Sequence, residues 1–180
     1  FYSEIGQLAG VFETDWSWSV LMADFDNDGW KDIHVTNGLG KDLTNNDYAS
    51  FRNGEANTSN YTFGGTGAEK KLDKTTTASL RKTIDQFGSI KMDNYFFHNN
   101  NDLTFNNTTK QTGLAVPSIS NGAAYADLDN DGDLDLVVNN VYDPAFIYKN
   151  NANEIPNTNN FIRFKLSGNK TNVNGIGASI

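Results

Sequence analysis

The sequence predicts a mainly β, loop-rich fold built on a repeated unit of short strands, and three observations carry that prediction. The first is composition. Hydrophobic residues are 37% and charged residues 20% of the 180, while 26 Asn and 16 Gly make up the difference with turn formers. The second is an aromatic share of 12%, which gives so polar a chain something to bury and argues against disorder. The third is an internal repeat: Ser17–Asn37 and Ser120–Asn140 align without a gap at a constant offset of 103 and share ten of 21 residues.

Each copy reads as strand, loop, strand. Val20–Ala23 and Ala123–Ala126 are short apolar runs that lead into a turn cluster, and the β-branched or apolar Ile33–Val35 and Leu136–Val138 lead out of it. Tyr95–Asn99 and Phe146–Asn150 read as a third strand, Leu103–Phe105 and Phe161–Leu166 as a fourth. Four short strands separated by polar turns make the pattern of a propeller blade. Only two such units are legible and a closed propeller needs more, so an incomplete propeller is expected.

The third strand begins 19 residues after Asp127 but 71 after Asp24, which places an insertion of 52 residues at about 39–92. Within it, Thr75–Thr77 followed by Leu80, Ile84 and Phe87 at helical spacing, with Gly88 as the stop, predicts an amphipathic helix. A shorter helical turn is expected over 46–51, capped by Thr44 or Asn45, and residues 53–67 read as loop. The organisation is then a first blade over 12–109 interrupted by this partly helical insertion, a second blade over 110–159, and a terminal segment over 160–180.

Net charge of -8 and a pI of about 4.6 speak against nucleic acid, because no basic stripe is present to meet the phosphates. No apolar run is long enough to span a bilayer. Cys 0 removes disulfides, thiol catalysis and thiolate metal sites. The chain begins at Phe1 rather than Met, so a processed or truncated piece of a larger protein is expected.

The turn clusters carry the chemistry. Asp24, Asp26, Asp28, Gly29 and Asp32 repeat as Asp127, Asp129, Asp131, Gly132 and Asp135, one D-x-D-x-D-G-x-x-D spacing in both copies. Hard cations such as Ca²⁺ take six to eight oxygens at about 2.3–2.6 Å, which alternate Asp residues supply when the chain curls around the ion. The glycine permits the bend. The fourth Asp closes the cage from the outgoing strand, and position 7, Trp30 or Asp133, gives its backbone carbonyl, so its side chain is free to vary. An EF-hand begins alike but needs Glu at position 12, where Val35 and Val138 stand within strand-like runs. Two Ca²⁺ sites in β-turn loops are therefore expected; the alternative is a pair of ordinary Asp-Asn-Gly turns.

The segments Ala23–Ile33 and Ala126–Val138 resemble the FG-GAP (VCBS-type) repeat. That resemblance implies blades of an integrin-like β-propeller with calcium in the turn between the first two strands. Thr14–Trp18, Val35–Gly38, Asp42–Asn45, Asn101–Phe105 and Ser120–Ala126 look like the bacterial branch that ends in an ASPIC/UnbV domain, of which cartilage acidic protein is an animal relative. Asn160–Leu166 with Asn172–Ala178 resembles the opening of that terminal domain. The likeness covers 12–38 and 94–180, and the insertion only in its first few residues.

Trp16, Trp18, Trp30, Tyr125 and Tyr142 suit either packing between sheets or a sugar-stacking face. His34 and His98 lie in strand-like segments with no adjacent acid–base partner in sequence. Asp15, Asp42, Asp47 and Arg52 suit a polar site or ordinary capping. No catalytic constellation is legible. The expected function is a calcium-binding, non-enzymatic propeller module of an exported protein, in adhesion, protein–protein or ligand binding, with an unknown protein or glycan ligand and exposed blade edges through which it oligomerises. The alternatives are a glycan-binding module or the scaffold of a polysaccharide-processing enzyme. Extracellular modules bind calcium at about 10⁻⁴–10⁻³ M, so export to the periplasm, cell surface or medium is expected.

Overall fold

The computed structural model describes residues 1–41, 88–155, 159, 161–162 and 164–179. Strands β1 (Ser17–Ala23), β2 (Asp32–Asn37), β3 (Tyr95–Asn99) and β4 (Phe105–Asn107) form one antiparallel sheet in sequence order. Strands β5 (Ser120–Ala126), β6 (Asp135–Asn140) and β7 (Phe146–Tyr148) form a second. A four-residue helix, α1 (Gly6–Ala9), precedes β1 and was not legible in the sequence.

The repeat in the sequence is a repeat in register. Met22 pairs with Ile33 as Tyr125 pairs with Leu136, and each first strand is irregular at the same place, between Ser17 and Ser19 or between Ser120 and Gly122. Ser17 Oγ donates to Asn37 Oδ1 at 2.8 Å, and Ser120 Oγ donates to Asn140 Oδ1 at 2.7 Å. Buried amides join the two copies: Asn94 Oδ1 accepts the Asn37 backbone N–H at 2.8 Å while its Nδ2 donates to Ser120 Oγ at 3.0 Å. Much of the Asn content thus serves as side-chain glue between strand ends, where buried backbone groups need partners.

The core lies between the sheets. Ala23, Phe25, Phe96, Leu114, Leu136 and Val138 are buried together, with Leu21, Ala123, Phe146 and Tyr148 packed against them. Because successive strand residues point to opposite faces, the pairings separate the faces cleanly. Leu21, His34 and Phe96 lie in one row of the first sheet and face the second, whereas Ala123, Val138 and Phe146 form the row of the second sheet that faces the first.

Three expectations are corrected. The fourth strand of the first unit is β4, two residues later than predicted, because Asn101 (φ 62°) and Leu103 (φ 71°) turn the chain and Thr104 is tied to Asp102. The described residues of 161–166 carry no strand. A 3₁₀ turn over Ala152–Glu154 leads the chain off the β7 edge, and the Phe161 ring packs on Gly132 instead. Asp133 does more than present a carbonyl, as shown below. The bridge Leu39–Ile90 closes the insertion at its base, and Met92–Ser118 ties its end to the segment leading into β5; the helices expected at 46–51 and 75–87 lie in residues 42–87, outside the described residues.

Candidate metal centres

The turn between β1 and β2 and the turn between β5 and β6 have one backbone shape. Asn27 (φ 57°) and Asn130 (φ 64°) adopt the left-handed conformation that Asn tolerates, followed by Gly29 (φ 92°) and Gly132 (φ 99°). These two inversions curl each loop inward. The Asp28 N–H donates to Asp26 Oδ1 and the Asp131 N–H to Asp129 Oδ1, both at 3.2 Å. The Trp30 N–H donates to Asp28 Oδ1 at 2.7 Å, and the Asp133 N–H to Asp131 Oδ1 at 3.0 Å.

That curl brings carboxylates together. Asp24, Asp26 and Asp28 place oxygens within 4.8 Å of one another, and so do Asp127, Asp129 and Asp131. Each is an all-oxygen donor set of the kind a hard cation takes, and the three like charges repel one another when no cation is present. Desolvation, then the neighbouring Asp28 charge, raise the Asp26 carboxyl above its ordinary range.

The fourth Asp of each loop is buried at the start of the outgoing strand. Asp32 accepts the N–H of Phe25 at 3.3 Å and of Asn99 at 3.0 Å. Asp135 does the same with Leu128 at 2.9 Å and Asn150 at 2.8 Å. Both therefore brace the loop against the third strand. Asp32 also lies with Asp26 and His98 in a second group of ligand atoms, and burial pushes its carboxyl up to about 6.

Asp133 is buried, and its side chain links the two loops. Its Oδ1 accepts from Asn27 Nδ2 at 3.0 Å and its Oδ2 from the Asn153 N–H at 2.8 Å. The position is therefore not indifferent to side chain: Trp30, its counterpart, is exposed, while Asp133 faces the first loop.

Two basic residues of the third strands reach the loops: His98, read from sequence as having no acid–base partner, and Lys149, which sequence reasoning missed. His98 Nδ1 lies 3.3 Å from both Asp26 Oδ2 and Asp32 Oδ1. Lys149 Nζ lies 2.9 Å from Asp129 Oδ2 and 3.5 Å from Asp131 Oδ2. The ammonium hydrogen-bonded to Asp129 holds that carboxyl below its usual range, and Asp129 raises Lys149 in turn. Aligning the third strands would have found both, because Tyr95–Asn99 and Phe146–Asn150 set His98 opposite Lys149. Both residues line a cavity of about 530 Å³ floored by Phe25, Phe96 and Tyr148.

The remaining candidates scatter. Asp15 accepts from the Tyr95 hydroxyl at 2.6 Å, which lifts that phenol to about 12. Trp16, Trp18, Trp30, Tyr125 and Tyr142 are exposed. Asp42, Asp47 and Arg52 lie outside the described residues. No helix among the described residues is long and apolar enough to cross a membrane.

No curated protein matches the chain. The FG-GAP-like repeat family matches residues 84–138, an interval that runs through β3, β4 and β5, takes in the second Asp loop and ends in β6. Over those residues the chain carries an FG-GAP-like repeat.

Proposed function

We propose that the chain is a calcium-binding, non-enzymatic β-propeller module of an exported protein, working in adhesion by binding a protein or glycan partner. The observation that carries this reading is the convergence of Asp24, Asp26 and Asp28, repeated at the same register by Asp127, Asp129 and Asp131. An ion in each loop would relieve the carboxylate repulsion and fix the turn. The Lys149 ammonium against Asp129 supports it, since that cluster already draws a positive charge. Two sheets of one register packed face to face support the propeller, and the millimolar calcium outside cells suits an extracellular module.

Direct calcium titration of the chelator-treated chain by calorimetry tests the reading. Two ions per chain are expected, with Asp24→Ala and Asp127→Ala each removing one. Absence of binding, or a stoichiometry that neither variant changes, refutes it. A glycan-binding reading is favoured by one observation, the exposure of Trp16, Trp18 and Trp30. A glycan array decides between glycan and protein as the partner.

A further inference from the structure

The first Asp loop takes part in a group of ligand atoms that the second loop lacks. In the first sheet the register that sets Ile33 opposite Phe97 brings His98 opposite Asp32. Asn99 fixes that register, its N–H donating to Asp32 Oδ1 at 3.0 Å and its Nδ2 to the Lys31 carbonyl at 3.0 Å. His98 Nδ1 then lies 3.3 Å from Asp32 Oδ1 and 3.3 Å from Asp26 Oδ2. A closed hydrogen bond between charged groups runs about 2.7–2.9 Å, and Lys149 reaches Asp129 at 2.9 Å. His98 stands further off than that from both carboxylates. The spacing fits an ion between them: ligands held about 2.0–2.2 Å from a tetrahedral metal lie about 3.3–3.5 Å from one another.

We propose that His98, Asp32 and Asp26 form a site for a first-row transition metal, Zn²⁺, separate from the carboxylate trio of Asp24, Asp26 and Asp28. The donor set makes the choice. Calcium and magnesium take oxygen, whereas a neutral imidazole nitrogen beside two carboxylates suits zinc. Asp32 is 1% exposed and accepts the Phe25 N–H on Oδ2 at 3.3 Å as well as Asn99 on Oδ1. Its carboxylate is thus already aimed, as metal-bound carboxylates are by their outer partners, and each oxygen keeps a lone pair for the ion. Asp26 and His98 both line the cavity of about 530 Å³, so a further coordination position is open from that side. The second loop is the internal control. Lys149 holds the place of His98 there, and an ammonium has no lone pair to give. Among the described residues, Asp127, Asp129 and Asp131 are the one ligand group of that loop. The inference goes beyond the function proposed above and does not rest on calcium. The two groups of the first loop share Asp26 alone, so Asp24 belongs to one and His98 to the other.

Zinc titration of the chelator-treated chain, followed by calorimetry and by NMR of the imidazole nitrogens, is the test. The chain has His 2, and His34 is buried in the core row, so the ring that responds identifies the site. One tight zinc ion per chain is expected, with the His98 Nδ1 resonance moving on binding and His34 unmoved. His98→Ala, at a part-exposed position, should weaken that zinc by more than the roughly tenfold that loss of an outer partner costs. Asp24→Ala should leave it within about threefold, the scale of an exposed charge. Zinc that does not bind, that binds without moving His98 Nδ1, or that survives His98→Ala at full strength overturns the proposal. So does zinc lost in Asp24→Ala, which would put the ion in the loop trio. Calcium that fails to bind while zinc holds overturns the function proposed above and leaves this site standing.

Discussion

His98 and Lys149 stand at the same place in their repeats, and each reaches back into the Asp loop of its own sheet, His98 to Asp26 at 3.3 Å and Lys149 to Asp129 at 2.9 Å. The two loops share a backbone yet differ in their resident base. An ammonium is charged at every working pH, whereas an imidazole is charged only when protonated. A divalent cation entering the second loop must displace a charge that the first loop need not hold.

Lys149→Met should therefore tighten calcium binding at the second loop, by roughly two- to fivefold, the scale of an exposed ion pair. It should leave the first loop unchanged. Calorimetric titration in an Asp24→Ala background, which isolates the second loop, measures it. The gain should shrink as salt screens the pair.

Asp32 and Asp24 belong to one motif but do different things. Asp32→Ala strands two backbone N–H groups beside the core, those of Phe25 and Asn99, at a cost of roughly 2–5 kcal/mol. Asp24 accepts the N–H of Asp28 at 3.0 Å and of Gly29 at 2.9 Å within the loop, and its removal also relieves repulsion. Asp24→Ala should then cost under about 1 kcal/mol without cation. Urea unfolding in EDTA compares them, and equal losses would remove the distinction between brace and ligand.

Gly38 allows the closest approach between the first sheet and the strand leading into β5. It has φ 134°, and an added Cβ would lie 2.5 Å from Ile119 Cα and 2.7 Å from the Ser118 carbonyl oxygen. Both contacts are backbone, so neither can swing aside. Gly38→Ala should lose roughly 2–4 kcal/mol by the same unfolding measurement.

His34 sits in the buried row between Leu21 and Phe96, and neither ring nitrogen has a hydrogen-bond partner among the described residues. Burial lowers it to about 4 from 6.5, and the nearby Tyr95 backbone, too poorly placed for a full hydrogen bond, offsets only part of that. As pH falls from about 6.5 to about 4, the unfolded chain takes up a proton that the folded one refuses. Stability then drops by up to about 1.4 kcal/mol per pH unit. His34→Leu, similar in volume, should be about 1 kcal/mol more stable at pH 7. Its advantage should widen at pH 5. Parallel pH profiles of wild type and variant would contradict this.

The strands and the Asp loops were legible because the repeat is local: apolar alternation and the D-x-D-N-D-G spacing are written within 21 consecutive residues. What joins distant segments was not. His98 reaches Asp26 across 72 residues and Asp133 reaches Asn27 across 106, and sequence spacing carries no signal for such pairs. Phe161–Leu166 has the alternation of a strand, but a strand also needs a free edge within reach, and the turn at Ala152–Glu154 leads the chain away from one. Position 7 misled because one copy has an exposed Trp30, while the other uses Asp133 to tie the loops together.

If the two Asp loops hold calcium, thermal unfolding shows it. The midpoint should be low in EDTA and rise as calcium passes its dissociation constant, with magnesium far less effective. That rise should vanish in the Asp24→Ala plus Asp127→Ala variant. A midpoint indifferent to calcium would mean that the loops are ordinary Asp turns held by their own backbone hydrogen bonds.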